Sequence, residues 1–275
     1  MGEAGLFGPE TLTWRINREG VLVAGGGRAL VLQVAHPLVA AGVAQHSDYR
    51  TDPFGRLQRT LDVTTTIVFG TVEEAKAASK RLWNRHGLVK GASDEAGGRF
   101  AAGAPYEAQD PTLLMWVHAT LVDTAIAVYD RYVAPLSAAE RAAYYDEQKL
   151  LGEQFGIPRE AMPATYDDFR DYFDRVVAEE LAVTDSLRDV LDSILDPELP
   201  PAAKLAVRPV IPVVRLLTVG LLPQRLRDEL ELTWSPRDQR LLDASGALRR
   251  VLPLVPAHAR VFGAARSAER RLAAA

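Results

Sequence analysis

The sequence predicts an all-α fold, and three observations carry this prediction. Helix-start signals recur along the chain, with Asp before Pro or with Ser or Thr three residues before Glu or Asp. Apolar residues follow most of these signals at helical spacing. No segment alternates convincingly between apolar and polar residues as a half-buried strand does. We expect one globular domain over residues 1–275, with its core motifs in 10–180 and a helical extension over 181–275.

Composition excludes several kinds of site and partner. The 275 residues include no cysteine, so disulfides, thiolate nucleophiles, iron–sulfur clusters and cysteine zinc sites are excluded. The net charge of −4, without a stripe of Lys and Arg between aromatic residues, argues against a nucleic-acid partner. No basic stretch followed by an apolar one marks a secretory signal, so we expect a cytoplasmic protein.

The first predicted helices lie on either side of a glycine run. They cover residues 9–16 and 28–35. The glycines at 25–27 do not match a nucleotide-binding fingerprint, because Leu30 stands where a third glycine is needed and no strand–helix alternation follows. Pro37 favours an extended backbone at His36 and begins another helix, so His36 is expected to pack or to cap that helix rather than to bind a metal.

Two consecutive helices are predicted in the next segment. Asp52 and Pro53 suit the N-cap and first position of a helix that ends at Gly70, a residue that tolerates a left-handed cap. A capping box at Thr71 begins the second helix, which should extend to about Gly87. Together these helices carry the candidate site.

One face of the first helix is cationic and hydroxyl-bearing. Arg56, Arg59 and Thr60 share it because they are three and four residues apart. His86 lies in the last turn of the second helix, on an otherwise apolar face. Consecutive helices about thirty residues apart thus deliver the cations and one imidazole, as the two histidine-bearing helices of a globin do around a haem.

Histidine spacing leaves one kind of metal site open. None of the five histidines follows an acidic residue by three positions, and no two are four apart, so ferritin-like di-iron and HExxH zinc sites are excluded. The G-x-S-x-G motif of serine hydrolases is also missing. A single axial histidine under a porphyrin remains, since haem needs only one or two protein ligands. His118 is the rival of His86 for that role; otherwise it would support a ligand or line a pocket.

The remaining chain is predicted to be helical except for one long loop. That loop, residues 92–109, is rich in Gly and Ala and is expected to be a lid or a pocket edge. Further helices are predicted over 111–133, 137–155 and 165–184, from 235, and over 257–272. We expect the last one to pack against a partner subunit, which would make the protein a homo-oligomer.

Residues 200–223 are the most apolar stretch of the second half. Two arginines and two prolines within it argue against a membrane-spanning helix, because a charge is costly at the bilayer centre. We expect this segment to lie on the surface or over a pocket, where it would contact a membrane peripherally, guide a lipophilic substrate or form an interface.

Several sequence blocks resemble one oxygenase family. HPLVAAGVAQHSDYRTDPFGRLQRT, VFG, HGLVKG and DPTLLMWVHATLVDT are similar to motifs of the latex-clearing rubber oxygenases and the mycophenolic-acid pathway oxygenase. The resemblance implies an all-helical, globin-like core with haem b bound by one proximal histidine. By this resemblance Arg56, Arg59 and Thr60 match the basic distal motif and His86 matches the proximal histidine. Rubber oxygenases have Lys where this chain has Arg59.

The function implied is a haem-dependent oxygenase that uses dioxygen on a small lipophilic substrate such as an isoprenoid. Oxygen gains negative charge as it is reduced, so Arg56 would serve as a cationic donor in a dry pocket. Thr60 would hold a water or the distal oxygen, and Arg59 would pair with a haem propionate. Alternatively, the arginines form ion pairs on a solvated face with nearby carboxylates, namely Asp48, Asp52 or Asp62. Two other hypotheses stay open: a non-catalytic protein that binds an apolar ligand, and a structural partner protein.

Overall fold

The computed structural model describes residues 5–47, 53–197 and 199–274, without the side chains of 53, 54, 56, 57, 201 and 202. The all-α prediction is confirmed, because the described part holds fifteen α-helices and one short pair of strands. The helices are α1 Leu12–Asn17, α2 Gly26–Val34, α3 Pro37–His46, α4 Pro53–Phe69, α5 Val72–His86, α6 Pro111–Tyr132, α7 Ala138–Gln154, α8 Tyr166–Glu179, α9 Asp185–Leu195, α10 Pro201–Val207, α11 Ile211–Gly220, α12 Gln224–Glu229, α13 Pro236–Ser245, α14 Ala257–Arg260 and α15 Gly263–Ala273.

A β-hairpin lies inside the segment that was predicted to be a loop. Strands β1 (Lys90–Ala92) and β2 (Pro105–Glu107) pair antiparallel, with Gly91 opposite Tyr106. The Tyr106 ring is buried against α3 and the first turn of α6. Three residues are too few for an alternating pattern to be recognised, which is why the sequence did not predict these strands.

The helix α6 lies at the centre of the molecule. It packs against α2, α7 and α8, and 14 of its 22 residues are buried. Its length and hydropathy would suffice to cross a bilayer, but 72% of its most apolar window is buried inside the protein, as in the central helix of a folded core. The apolar stretch 200–223 forms α10 and α11, of 7 and 10 residues, and each is too short to span a membrane.

The predicted pair of consecutive helices is present as α4 and α5. The capping box that begins α5 is formed: the Thr71 backbone N–H donates to the Glu74 carboxylate at 2.8 Å, and the Glu74 N–H donates to Thr71 Oγ1 at 3.1 Å. Gly70 ends α4 but not through a left-handed cap, since its φ is not positive. A Cβ at Gly70 would lie 2.4 Å from the Thr66 carbonyl oxygen, so close approach is the reason for glycine there.

Several predicted helix boundaries differ from those observed. The first helix begins at Leu12, because the Thr11 side chain caps it by accepting the Trp14 N–H at 3.2 Å. The helix predicted over 165–184 ends at Glu179, and a new cap at Thr184 begins α9.

The C-terminal helix α15 packs within its own chain, and its expected contact with a partner subunit stays a prediction. Its buried residues Ala265 and Ala268 belong to a cluster with Trp14 and Phe69, next to α4. The Arg271 guanidinium also donates to the Phe69 carbonyl at 2.8 Å. The buried face of α15 therefore packs against the N-terminal third of the molecule.

Candidate active site in the helical core

The connection between α4 and α5 brings two candidate residues to the same end of a helix pair. Only Gly70 and Thr71 separate the helices, which pack against each other as an αα-hairpin. Arg56 lies 13 residues before the end of α4 and His86 lies 14 residues after the start of α5. At 1.5 Å per residue, both backbones are about 20 Å from the connection. Both thus belong to the open end of the hairpin.

A cavity of about 200 Å³ adjoins α4. It is bounded by α2, α4, α6 and α7, by the 3₁₀ turn Gly20–Gly25 and by the loop before α15. On α4 the lining residues recur at helical spacing and are Thr60, Leu61, Thr64, Thr65, Val68 and Phe69. Among the described residues that line it, none is charged. The cavity is therefore suited to an apolar molecule.

The hydroxyl groups of α4 that face this cavity are turned back onto their own helix. Thr64 Oγ1 donates to the Thr60 carbonyl at 3.0 Å, and Thr65 Oγ1 donates to the Leu61 carbonyl at 2.7 Å. The methyl groups of Thr64 and Thr65, rather than their hydroxyls, are then available to contact a molecule in the cavity. The threonine face of α4 therefore behaves as an apolar wall.

Two polar residues of α7 in the cavity wall are likewise bonded to the protein. The Tyr144 hydroxyl donates to Asn17 Oδ1 at 3.2 Å, and Gln148 Nε2 donates to Thr13 Oγ1 at 3.0 Å. Burial raises the pKa of the Tyr144 hydroxyl, so this phenol stays neutral. These residues were not predicted from the sequence. The available signal was the spacing of Tyr144, Gln148 and Leu151 along one helical stripe.

His86 is a half-buried imidazole at the end of α5. Its Nδ1 atom is buried and has no hydrogen-bond partner among the described residues. Burial, and next the positive charge of Arg85, lowers the pKa of His86, so the ring is neutral at pH 7. A neutral imidazole with an unshared nitrogen is the form that binds a metal.

His118 is buried and is hydrogen-bonded to the protein through one ring nitrogen. Its Nε2 donates to the Gln148 carbonyl at 3.0 Å, and its ring lies edge-on to Phe155. Burial lowers the pKa of His118 to about 4. It does not line the cavity, but it lies one turn from Leu121 on α6 and is bonded to Gln148, and both of these residues do. Its Nδ1 is buried and has no partner among the described residues, so the choice between a ligand role and a supporting role stays a prediction.

Of the other predicted site residues, some line the cavity and some do not. Thr60 lines the cavity, whereas Arg59 is exposed and does not. The side chain of Arg56 and the whole of Asp48 and Asp52 lie outside the described residues, so their predicted ion pairs and roles stay predictions. No residue of the segment 92–109 lines this cavity, so the expectation of a pocket edge there is wrong for it.

His36 packs as predicted. It is the N-cap residue of α3, is buried, and its Nε2 lies 3.5 Å from the buried carboxylate of Glu180. The guanidinium of Arg99 lies 3.0 Å from the same carboxylate. Burial lowers the pKa of His36, while Glu180 opposes that shift. This cluster joins α3, the 92–104 segment and the end of α8.

A haem iron at His86 would need a neutral histidine ligand and a pocket large enough for the porphyrin. One neutral imidazole suffices as the protein ligand of haem, and the unpartnered Nδ1 of His86 fits that requirement. Within the described ranges no three His, Asp or Glu side chains cluster as a multi-ligand metal site does. The 200 Å³ cavity is below the ~300–1,000 Å³ of pockets for drug-sized ligands and cofactors, and His86 does not line it. This cavity is therefore not itself a porphyrin pocket.

The described residues thus form a helical core with a cavity whose lining is uncharged. A family model described as "ER-bound oxygenase mpaB/B'/Rubber oxygenase, catalytic domain" matches residues 13–256. The chain belongs to this family of oxygenase catalytic domains, as its motifs predicted.

Two mycobacterial relatives extend the comparison. An uncharacterized protein of Mycobacterium tuberculosis and one of Mycobacterium bovis are each 26% identical over 242 residues, which cover 85% of this chain and 89% of the relative. No solved structure matches the chain significantly.

Proposed function

We propose that this protein is a haem b-dependent oxygenase that uses dioxygen to oxidise a lipophilic substrate. Membership in a family of oxygenase catalytic domains supports the reaction class. The observation that carries the cofactor proposal is His86, a neutral, half-buried imidazole whose Nδ1, like those of His36 and His118, has no partner among the described residues. When bound, haem would supply the iron that activates dioxygen.

In this proposal the open end of the α4–α5 hairpin holds the haem. His86 would bind the iron, and Arg59, which is exposed near that end, would pair with a propionate. Arg56 would supply a cationic hydrogen-bond donor for the oxygen substrate, and Thr60 would hold a water or the distal oxygen. His118 stays the rival ligand, because its buried Nδ1 also has no partner among the described residues and its Nε2 donates to the Gln148 carbonyl, as the second nitrogen of a metal-bound histidine does.

The test of this proposal is the visible spectrum and iron content of the purified protein and three variants. We expect a Soret band that shifts on reduction and with carbon monoxide, its loss in His86→Ala, and its retention in His118→Gln. His258→Ala, at an exposed histidine of α14, is the matched control and should keep its haem. A colourless wild-type protein, or a His86→Ala variant that retains haem, contradicts the proposal.

Oxygen consumption then tests the distal role. With haem content held equal, Arg56→Ala should consume oxygen more slowly by about tenfold or more, as expected for loss of a charge-stabilising donor. Undiminished consumption would remove Arg56 from the reaction.

The second candidate function is a non-catalytic protein that binds an apolar ligand, and the uncharged cavity favours it. Protein that is colourless but binds apolar molecules would support it over the oxygenase. The cytoplasmic location, the single-domain organisation and a homo-oligomeric state stay predictions.

A further inference from the structure

The cavity beside α4 has an exposed end and a buried end. Thr60 is exposed although it lines the cavity, so it lies at the mouth. Val68 and Phe69 line the same cavity and are 0% and 2% exposed, so they lie at the closed end. The ten residues from Thr60 to Phe69 span about 13.5 Å of helix. The cavity therefore leads inward from the side of α4 that carries the proposed reaction site.

Its walls admit an apolar molecule and disfavour water. A trapped water needs two to four polar partners, but the bonded hydroxyls of Thr64, Thr65 and Tyr144 are directed to other protein atoms. None of the described residues that line the cavity is charged, so none could pair with an ionic substrate. Burying apolar surface there is the available source of binding free energy, at about 25 cal/mol per Å².

Volume limits the size of the occupant. An engineered apolar cavity of about 150 Å³ holds benzene. At about 200 Å³ this cavity has room for a molecule somewhat larger, such as a substituted or a two-ring hydrocarbon. A polymer chain, or a ring system of five fused rings, exceeds it.

We propose that this cavity is the substrate pocket and that the substrate is a compact apolar molecule of about one or two rings in size, with its reacting carbon at Thr60. This inference rests on the proposed oxygenase function and narrows its lipophilic substrate to a small hydrocarbon-like compound. Thr60, one helical turn after Arg56, joins the pocket to the place where oxygen would react.

Toluene binding to the full chain, measured by isothermal titration calorimetry, tests the pocket. Ala125 lines the cavity from α6, so Ala125→Leu should fill part of it and weaken toluene binding at least tenfold. Ala127 lies on the same helix but does not line the cavity, so Ala127→Leu should bind toluene like the wild type. If Ala125→Leu does not fold, Ala29→Val on α2 takes its place, because Ala29 lines the same cavity.

Absence of saturable toluene binding to the wild type, or equal binding to the filled and control variants, overturns the proposal. Perylene, with five fused rings, should not compete with toluene, and competition would overturn the size limit. Calorimetry detects toluene binding whether or not the protein contains haem. A missing Soret band therefore overturns the oxygenase proposal while leaving the toluene result intact, whereas a haem-loaded protein that binds no toluene overturns the pocket alone.

Discussion

At the scale of single residues, buried polar groups are held by specific partners. Asp123 on α6 accepts hydrogen bonds from the guanidinium groups of Arg28, at 2.5 Å, and Arg170. Arg28 also donates to Thr124 Oγ1 and, at 2.6 Å, to the Leu221 carbonyl. The network joins α2, α6, α8 and the end of α11. A buried charge is tolerated only with such pairing, and neither partner's position could be derived from sequence spacing.

His118 should make stability depend on pH. Its pKa is lowered to about 4 in the folded protein, while the unfolded chain keeps the ordinary value near 6.5. Between these values the unfolded state binds a proton that the native state does not, so the free energy of unfolding falls as the pH falls. The loss approaches about 1.4 kcal/mol per pH unit within that window.

Urea unfolding of His118→Gln at pH 7, 6 and 5 measures this contribution. A glutamine amide can still donate to the Gln148 carbonyl but does not titrate, so the variant's stability should fall less steeply than that of the wild type. His258→Gln, at an exposed site, should keep the wild-type slope. Equal slopes for His118→Gln and the wild type would show that His118 is not the source.

At the scale of elements, the sequence predicted best where a cap or a proline fixes a helix start. The capping boxes at Thr71, Ser137, Thr165 and Ser235 all form, and the helices after them begin where expected. Helix ends were less certain, because tertiary contacts decide them. Val261 forms a bridge with Glu19, and the Phe262 N–H donates to the Arg18 carbonyl, so the predicted helix 257–272 breaks into α14 and α15.

The Thr71 cap should contribute measurably to the stability of α5. Thr71→Ala removes the acceptor for the Glu74 N–H and should lower the free energy of unfolding by about 1 kcal/mol. Thr71→Ser keeps the acceptor oxygen and should lose less than half as much. Denaturant titration followed by circular dichroism gives both values, and equal losses in the two variants would exclude the cap as the cause.

At the scale of the whole molecule, the sequence predicted the fold class and the family but not the cavity. Helical periodicity places Thr60, Thr64 and Val68 on one face of α4, which the chain alone reveals. It does not reveal that α2, α6 and α7 enclose that face, because these helices approach through contacts distant in sequence. Candidate residues could therefore be named from the sequence, whereas the helices that enclose the cavity were identified only from the structure.

The C-terminal helix should be needed for the fold of the N-terminal third. Deleting residues 263–275 exposes the cluster around Trp14 and Phe69 and removes the Arg271 hydrogen bond, so we expect a loss of about 2–4 kcal/mol in the free energy of unfolding. Deleting residues 274–275 alone is the control and should change little. Urea unfolding measures both, and a full-length-like midpoint for the longer deletion would contradict this packing.

The contact between Trp83 and Gly156 gives the protein a built-in optical reporter. Gly156 has a φ of +90°, and a Cβ there would lie 2.4 Å from the indole ring, so the ring rests directly on bare backbone at the end of α7. Trp83 is 41% exposed and precedes His86 by three residues. Its fluorescence therefore follows the surroundings of the last turn of α5, and a chromophore bound at that turn would quench it by energy transfer without any label being attached.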